Sequence, residues 1–236
     1  RVFEELDSTS NEACRMIMSG FTGSNLIIAN TQNSGRGRRG RQWVSPAGGV
    51  YMSLTLPLHG NLIQPQALSL VSAISLKQSL EAWSSIPIKL KWPNDLLVEG
   101  KKLAGILLEL QTSEATDHIV FGIGINYSLT NAQKEAIDRE VIDLNELTEK
   151  LPAREKIIVS ICINLIENTH RFFDLGFDPF KQIWNASDHY LGSNIVIKSG
   201  KSEKLGKSLG VNCQADLIIE TDLGQESISS GEIYFD

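Results

Sequence analysis

Residues 88–126 read IKLKWPNDLLVEGKKLAGILLELQTSEATDHIVFGIGIN, and the fold turns on how that stretch is divided. Ile88–Trp92 alternates apolar and polar with the period of a strand. Leu96–Val98 and Lys102–Leu110 read as strands around a Glu99-Gly100 turn, and Ile119–Asn126 as another. Outward from this block, residues 1–6, Asn25–Asn30 and Val50–Leu56 also read as strands. Helices are predicted from Thr9, where Thr9-x-x-Glu12 matches a capping box, to a stop at Gly20. A long amphipathic helix is predicted over Gln66–Trp83, with Leu76, Leu80 and Trp83 on one face. Further helices are predicted over Arg154–Phe173, built on Ile157, Ile158, Ile161 and Leu165, and over about Pro179–Tyr190. Residues 128–150 are polar, weakly periodic and irregular or partly helical. After Gly192, short strand candidates (NIVIK, KSLGV, ADLIIE, ESIS, EIYF) alternate with turn signals at Ser199-Gly200, Asp222-Leu223-Gly224 and Ser230-Gly231. That spacing predicts a small all-β barrel docked on a larger domain, because so short a unit has a thin core.

A chain of 236 residues suits one large domain, or a medium one with a small companion. Its 22 Lys+Arg against 28 Asp+Glu give a net charge of −6, so a broad basic nucleic-acid surface is excluded and any positive patch must be local. No run of apolar residues is long enough to span a membrane. Cys14, Cys162 and Cys213 are an odd number, far apart and without a CxxC pair, which fits a reducing cytosol rather than a disulfide framework or zinc knuckle. His59, His118, His170 and His189 are scattered and give no metal spacing. No signal-peptide pattern is readable at Arg1.

The chemistry concentrates in Gly35-Arg36-Gly37-Arg38-Arg39-Gly40-Arg41. Arginines 36, 38, 39 and 41, crowded together in an acidic chain, repel one another unless an anion relieves them. The interleaved glycines let the backbone approach a ligand, and arginine forks match phosphate oxygens. The string satisfies G-x-G-x-x-G, but Gln42-Trp43-Val44-Ser45-Pro46 opens no helix and no acidic residue follows for a ribose, so a dinucleotide fold fails. The P-loop fails as well, because Arg41-Gln42 stand where lysine and a hydroxyl are needed. A solvated arginine loop is the plain alternative. Lys91-Trp92-Pro93-Asn94-Asp95 presents Asn94 and Asp95 at a strand end, since Pro93 keeps Trp92 out of helical geometry; a simple turn explains the same residues. Lys101 and Lys102 must face opposite sides of their strand. The one sent towards Ala104 and Ile106 calls for an anionic partner, with hairpin solubility as the alternative. Gly122-Ile123-Gly124-Ile125-Asn126 carries mid-strand glycines, which mark close approach by a ligand or another backbone. Ser8 and Thr9 read equally well as a helix cap.

Taken in order, Leu6-Asp7-Ser8-Thr9, GRGRRGRQW, KWPND, GKKLAGILLEL and GIGIN resemble the biotin–protein ligases, and the barrel pattern extends the likeness to nearly the whole chain. Ser10 departs from it, since the family usually has asparagine after Ser-Thr. The likeness is to the form without an N-terminal helix-turn-helix. It implies an α+β fold: a mixed sheet with helices, of the class II aminoacyl-tRNA-synthetase-like kind, over residues 1–191, then a small SH3-like barrel over residues 192–236. It implies ATP-dependent formation of biotinyl-5′-AMP, then transfer of biotin to a lysine of a biotin carboxyl carrier protein. By the same resemblance Ser8, Thr9, Ser10, Gln32, Gly35, Arg36, Gly37, Arg38 and Lys102 hold biotin. Arg38, Arg39, Arg41, Trp43, Asn94 and Asn126 hold the adenylate, with Lys102 and Arg38 catalytic. Asp95 is the candidate for orienting magnesium or its water, and Mg2+ is implied by the departing pyrophosphate. The arginine loop is expected to close on the adenylate. A cytoplasmic location and a homodimer are further expectations. Rival readings are a lipoate–protein ligase or octanoyltransferase, and a non-enzymatic biotin sensor or nucleic-acid binder. KWPND with the arginine–glycine loop argues against the first. Net charge and the lack of interleaved aromatics argue against the nucleic-acid binder.

Overall fold

The structure, a computed structural model, describes residues 1–58, 64–199 and 202–235. His59 and the Gly200 half of the Ser199-Gly200 turn lie outside the described residues. The elements follow as β1 (Val2–Leu6), α1 (Thr9–Met18), β2 (Asn25–Gln32), β3 (Gly49–Pro57), α2 (Pro65–Glu81), β4 (Lys89–Lys91), β5 (Asp95–Val98), β6 (Lys101–Gln111), β7 (His118–Asn126), α3 (Asn131–Glu135), α4 (Arg154–Leu175) and α5 (Asp178–Ser187). The chain closes with β8 (Asn194–Ser199), β9 (Ser202–Val211), β10 (Leu217–Thr221), β11 (Gly224–Ile228) and β12 (Glu232–Phe235). The architecture is α+β, a mixed sheet of seven strands with helices and a second antiparallel sheet of five. Contacts divide the chain into two compact units, one of Arg1–Ile63, Trp83–Ile86 and Lys101–Ile158, the other of Gln64–Ala82, Pro87–Gly100 and Val159–Asp236.

In the first unit the strands run β1-β2-β3-β7-β6, with β1 and β2 parallel and the later pairs antiparallel. Parallel neighbours need a crossover, and α1 supplies it. Its Ala13, Met16 and Ile17 pack with Ile27 and Val120 on the sheet, edged by Phe3, Leu6 and Phe21. β7 is buried at every position, as an interior strand covered on both faces must be, and so reads as a continuous apolar run. The expected capping box at Thr9 is not formed. Ser8 is the cap, in extended backbone (φ −161°), and its hydroxyl accepts from Ser10 N–H at 3.3 Å. Glu12 instead accepts from Arg15 Nε at 2.9 Å. Three neighbouring hydroxyl residues could each cap, and only Ser8 sits where the chain is still extended.

In the second unit α2 corrects the amphipathic reading: residues on every side of it are buried, and Trp83 lies beyond its end. Its serines hide their polarity within the helix, Ser72, Ser75 and Ser79 donating to the carbonyls of Leu68, Val71 and Ser75 at 2.7–2.8 Å. On α4, Asn164 and Asn168 donate to Ser79 and Ser75 at 3.0 and 2.9 Å. β4 and β5 form an antiparallel hairpin, and Trp92, after a cis bond to Pro93, donates its indole N–H to the Ala215 carbonyl at 3.2 Å. The small sheet runs β11-β10-β9-β8-β12, the last strand returning beside the first. The predicted Glu99-Gly100 turn is present between β5 and β6, with both residues at positive φ (51° and 80°).

The helix predicted to reach Tyr190 ends at Ser187 because Asp188 turns extended and bridges to Leu90. Asp188 is 7% exposed; its Oδ1 accepts from Tyr190 N–H at 2.9 Å while its Oδ2 is buried with no partner. Burial pushes its pKa up to about 6, against the weaker pull of the Tyr190 N–H and Lys89. A folded pKa above the unfolded 3.8 means that burying the ionised carboxylate opposes folding above about pH 6, and that this cost fades as pH falls towards 3.8. Asp188→Asn is therefore expected to raise stability at pH 8 by up to about 3 kcal/mol. The gain should vanish near pH 4, measured by urea unfolding across that range.

Candidate functional site

The candidate site grows from the end of β2 and the start of α1, both in the first unit. Thr9 N–H, one of the orphan donors of the helix, is taken up by Gln32 Oε1 at 2.8 Å. Gln32 Nε2 donates to Ser45 Oγ at 2.9 Å, and Ser45 Oγ donates to the Trp43 carbonyl at 2.9 Å. Beneath α1, Ser53 of β3 donates to Thr9 Oγ1 at 2.8 Å and shares a 3.1 Å bond with Ser10 Oγ. With its one hydrogen given to Thr9, Ser53 must accept from Ser10. Thr9 and Gln32 thus keep a hydroxyl hydrogen and an amide hydrogen for a ligand, inside a small floor of hydroxyls and one amide.

The glycines of β7 make that floor possible. A Cβ at Gly122 would stand 2.5 Å from Ser10 Oγ, and one at Gly124 would stand 2.6 Å from Trp43 Nε1. The nearest atoms to these glycines are side-chain atoms, with the Leu107 carbonyl of β6 at 3.4 Å from a Cβ at Gly122. Trp43 Nε1 is buried without a partner. The Lys102 ammonium lies 4.9 Å from the Trp43 ring centroid, a cation–π contact, while Lys101 is exposed as the strand alternation requires. Asn126, 4% exposed, gives its amide to the Lys102 carbonyl at 3.0 Å and the Ile142 carbonyl at 3.3 Å. It therefore stitches the end of β7 to the strand that carries Lys102.

Residues 35–43 close into a hairpin: Trp43 N–H donates to the Gly35 carbonyl at 2.9 Å and Gly37 N–H to the Arg41 carbonyl at 2.8 Å, with Arg36 paired to Gln42. The tip, Arg38–Gly40, is a short 3-10 turn with Arg39 and Gly40 in the left-handed region (φ 56° and 73°). Gly35 has no room for a side chain, since a Cβ would come within 2.6 Å of Ser45 Oγ. Arg36 turns to α1 and β6, donating to Asn11 Oδ1 at 2.9 Å and pairing with Glu109. Asn94 and Asp95 belong to the second unit: Asn94 lies in the turn after β4, its N–H donating to the Lys91 carbonyl at 3.1 Å, and Asp95 opens β5 opposite Lys91.

The model of the Biotin/lipoate A/B protein ligase family matches residues 2–126. This chain belongs to that family. Among similar proteins in it, the biotin--[acetyl-CoA-carboxylase] ligase of Paracoccus denitrificans is 31% identical over 97% of each chain. The bifunctional ligase/repressor BirA of Bacillus subtilis is 32% identical over 97% of this chain and 71% of its own. The biotin protein ligase from Aquifex aeolicus, solved with biotin and ATP, superposes with a TM-score of 0.87 at 31% identity, covering 99% of this chain and 97% of that one.

Of the residues singled out in the sequence of this biotin/lipoate ligase family member, Ser8, Thr9, Ser10, Gln32, Gly35, Trp43, Lys102 and Asn126 are built into the first unit's cluster of contacts. Sequence reasoning missed Ser45, Ser53 and Glu109. The signal for Ser53 was present, a polar residue in the apolar run of β3. Gly124→Ala, by driving a methyl into the Trp43 indole, is expected to cost about 1–3 kcal/mol. Gly37→Ala, whose Cβ would meet Arg41 no closer than 3.4 Å at negative φ, should be neutral or slightly stabilising. Urea unfolding of the two variants tests the contrast.

Proposed function

We propose that the chain is a biotin–protein ligase that makes biotinyl-5′-AMP from biotin and ATP and passes the biotin to a lysine of a biotin carboxyl carrier protein. The observation that carries this reading is the placing of Lys102 beside Trp43, within one unit that also holds the arginine hairpin and the hydroxyl–amide floor of Thr9 and Gln32. In the first step a biotin carboxylate oxygen attacks the α-phosphorus, and the bond to the bridging oxygen of pyrophosphate breaks. In the second, the amine of the carrier lysine attacks the carbonyl carbon and loses a proton, and AMP leaves with the former carboxylate oxygen.

No protein nucleophile enters either step, so positioning and charge do the work. Two unit charges 4 Å apart repel by about 1 kcal/mol in water and several-fold more in a drier site. Lys102, Arg38, Arg39 and Arg41 are the cations proposed to offset that repulsion, more strongly in the transition state than before it. Thr9 and Gln32, with Ser8 and Ser10 behind them and Gly35–Arg38 alongside, form the proposed biotin end. Trp43 and Asn126 form the proposed adenylate end, and Asn94 is the further adenylate residue that the resemblance implies. Magnesium, when bound with the nucleotide, would supply charge neutralisation for the departing pyrophosphate. Among the described residues no group of three or more His, Cys, Asp or Glu side chains converges; Asp95 is the carboxylate proposed to orient the ion or its water.

Residues 1–191 form the proposed catalytic domain and 192–236 the proposed SH3-like barrel; a homodimer in the cytoplasm is part of the same reading. No described helix is long and apolar enough to cross a membrane.

Acid-dependent ATP–pyrophosphate exchange should proceed with biotin and fail with lipoate or octanoate, followed by transfer of labelled biotin to a carrier domain. Lys102→Ala and Arg38→Ala are each expected to slow exchange at least about 100-fold while melting within a few degrees of the parent, since charge-stabilising donors carry that much of a barrier. Exchange unaffected by both changes would overturn the assignment.

A further inference from the structure

The sequence presents the arginines of residues 36–41 as one clasp, yet the structure uses Arg36 differently. Its backbone sits at the root of the hairpin, between the Gly35–Trp43 and Gly37–Arg41 bonds and paired to Gln42. Its guanidinium leaves the hairpin and joins two other elements, donating to Asn11 Oδ1 of α1 at 2.9 Å and ion-pairing with Glu109 of β6. Both anchors are themselves fixed. Asn11 Nδ2 donates to Asp7 Oδ2 at 2.8 Å, and Asp7 takes a two-pronged grip from Arg15 at 2.8 and 3.0 Å. Hydrogen bonding from Arg15 holds the Asp7 carboxyl well below the ordinary carboxylate range, so it stays ionised. Glu109 pairs with Val120 of β7, two places along from Leu107 opposite Gly122, and Val120 lies in the core under α1.

Exposed ion pairs are individually weak. This one is three-quarters covered on the Glu109 side, and the carboxylate's other oxygen, Oε2, is buried without a partner. A solubilising surface charge would not be held half-satisfied against a core strand. The pair spans 73 residues of sequence, and together with Asn11 it ties the hairpin root to α1 and to the sheet.

We propose that Glu109 is a positioning residue of the ligase: with Asn11 it anchors Arg36, and through it the root of the arginine hairpin, so that the hairpin stays over the acyl-adenylate and slows its escape. The retention half of the proposal rests on the ligase reading; the anchoring half does not. Two readouts separate them. In the ligand-free full chain, Glu109→Gln is expected to speed tryptic cleavage after Arg38, Arg39 or Arg41 at least fivefold. With biotin and ATP, it should speed release of biotinyl-5′-AMP at least tenfold while changing the rate of its formation less than threefold. In an Arg36→Met background, Glu109→Gln should then add nothing to the release rate, because its effect passes through that guanidinium. Release at the parent rate, or an acceleration of the same size in both backgrounds, overturns the proposal. If Glu109→Gln does not fold, Asn11→Ala, which frees the same guanidinium from α1, takes the same measurements with the same expected and overturning results. A parent chain that forms no adenylate would sink the ligase reading alone, and the tryptic comparison would still decide whether Glu109 anchors the hairpin.

Discussion

Close approach across β7 is the constraint on which the site depends. An interior strand of a packed sheet ordinarily presents a side chain at every position, and two neighbours on one face would hold a helix and a loop several ångströms away. At Gly122 and Gly124 there is none, so the hydroxyls of α1 settle over one glycine and the Trp43 indole over the next. The Ser10–Ser53–Thr9 chain and the seat of Lys102 above Trp43 both follow from that. Strand glycines weaken a sheet through lost packing and greater chain entropy. Here two of them lie in a fully buried strand, where the neighbours that replace the missing side chains restore the packing.

The polar groups under α1 are accounted for almost completely. Gln32 and Ser45 are linked to one another, to Thr9 and to the Trp43 carbonyl, and Ser53 has partners on both sides. Among the described residues there, the exceptions are the Trp43 indole nitrogen and one oxygen of Glu109. Unmet hydrogen-bonding capacity within a protein is expensive and tends to persist where something other than stability is being served. Both exceptions touch residues on which the hairpin rests: Trp43 closes it by bonding to Gly35, and Glu109 receives Arg36.

Much of this was legible in the sequence wherever the deciding interaction is local. The Glu99-Gly100 turn, the alternation before it, the helix after Ser8 and the strand-rich C-terminal stretch each depend on neighbours a few residues away. The cap was misplaced by one residue because Ser8, Thr9 and Ser10 are chemically equivalent as caps, and only the backbone's path out of β1 separates them. α2 misled for a different reason. Its serines mimic a polar face, but each returns its hydrogen to the preceding turn, leaving an outside that is effectively apolar. In the site, the strand glycines announced a close approach. The partner of Arg36 could not be read, because Glu109 is ordinary in its own strand and becomes a partner only when β6 is laid two strands from β3.

The Lys102 ammonium resting over the indole of Trp43 also has an optical consequence. A fixed positive charge near an indole displaces the energy of its excited state, so the colour of Trp43 emission records where that charge is. If Lys102 is drawn off the ring by an anion, the field at the indole changes even if no backbone atom moves. The indole of Trp43 is therefore a natural reporter of where the Lys102 charge sits, with no dye attached.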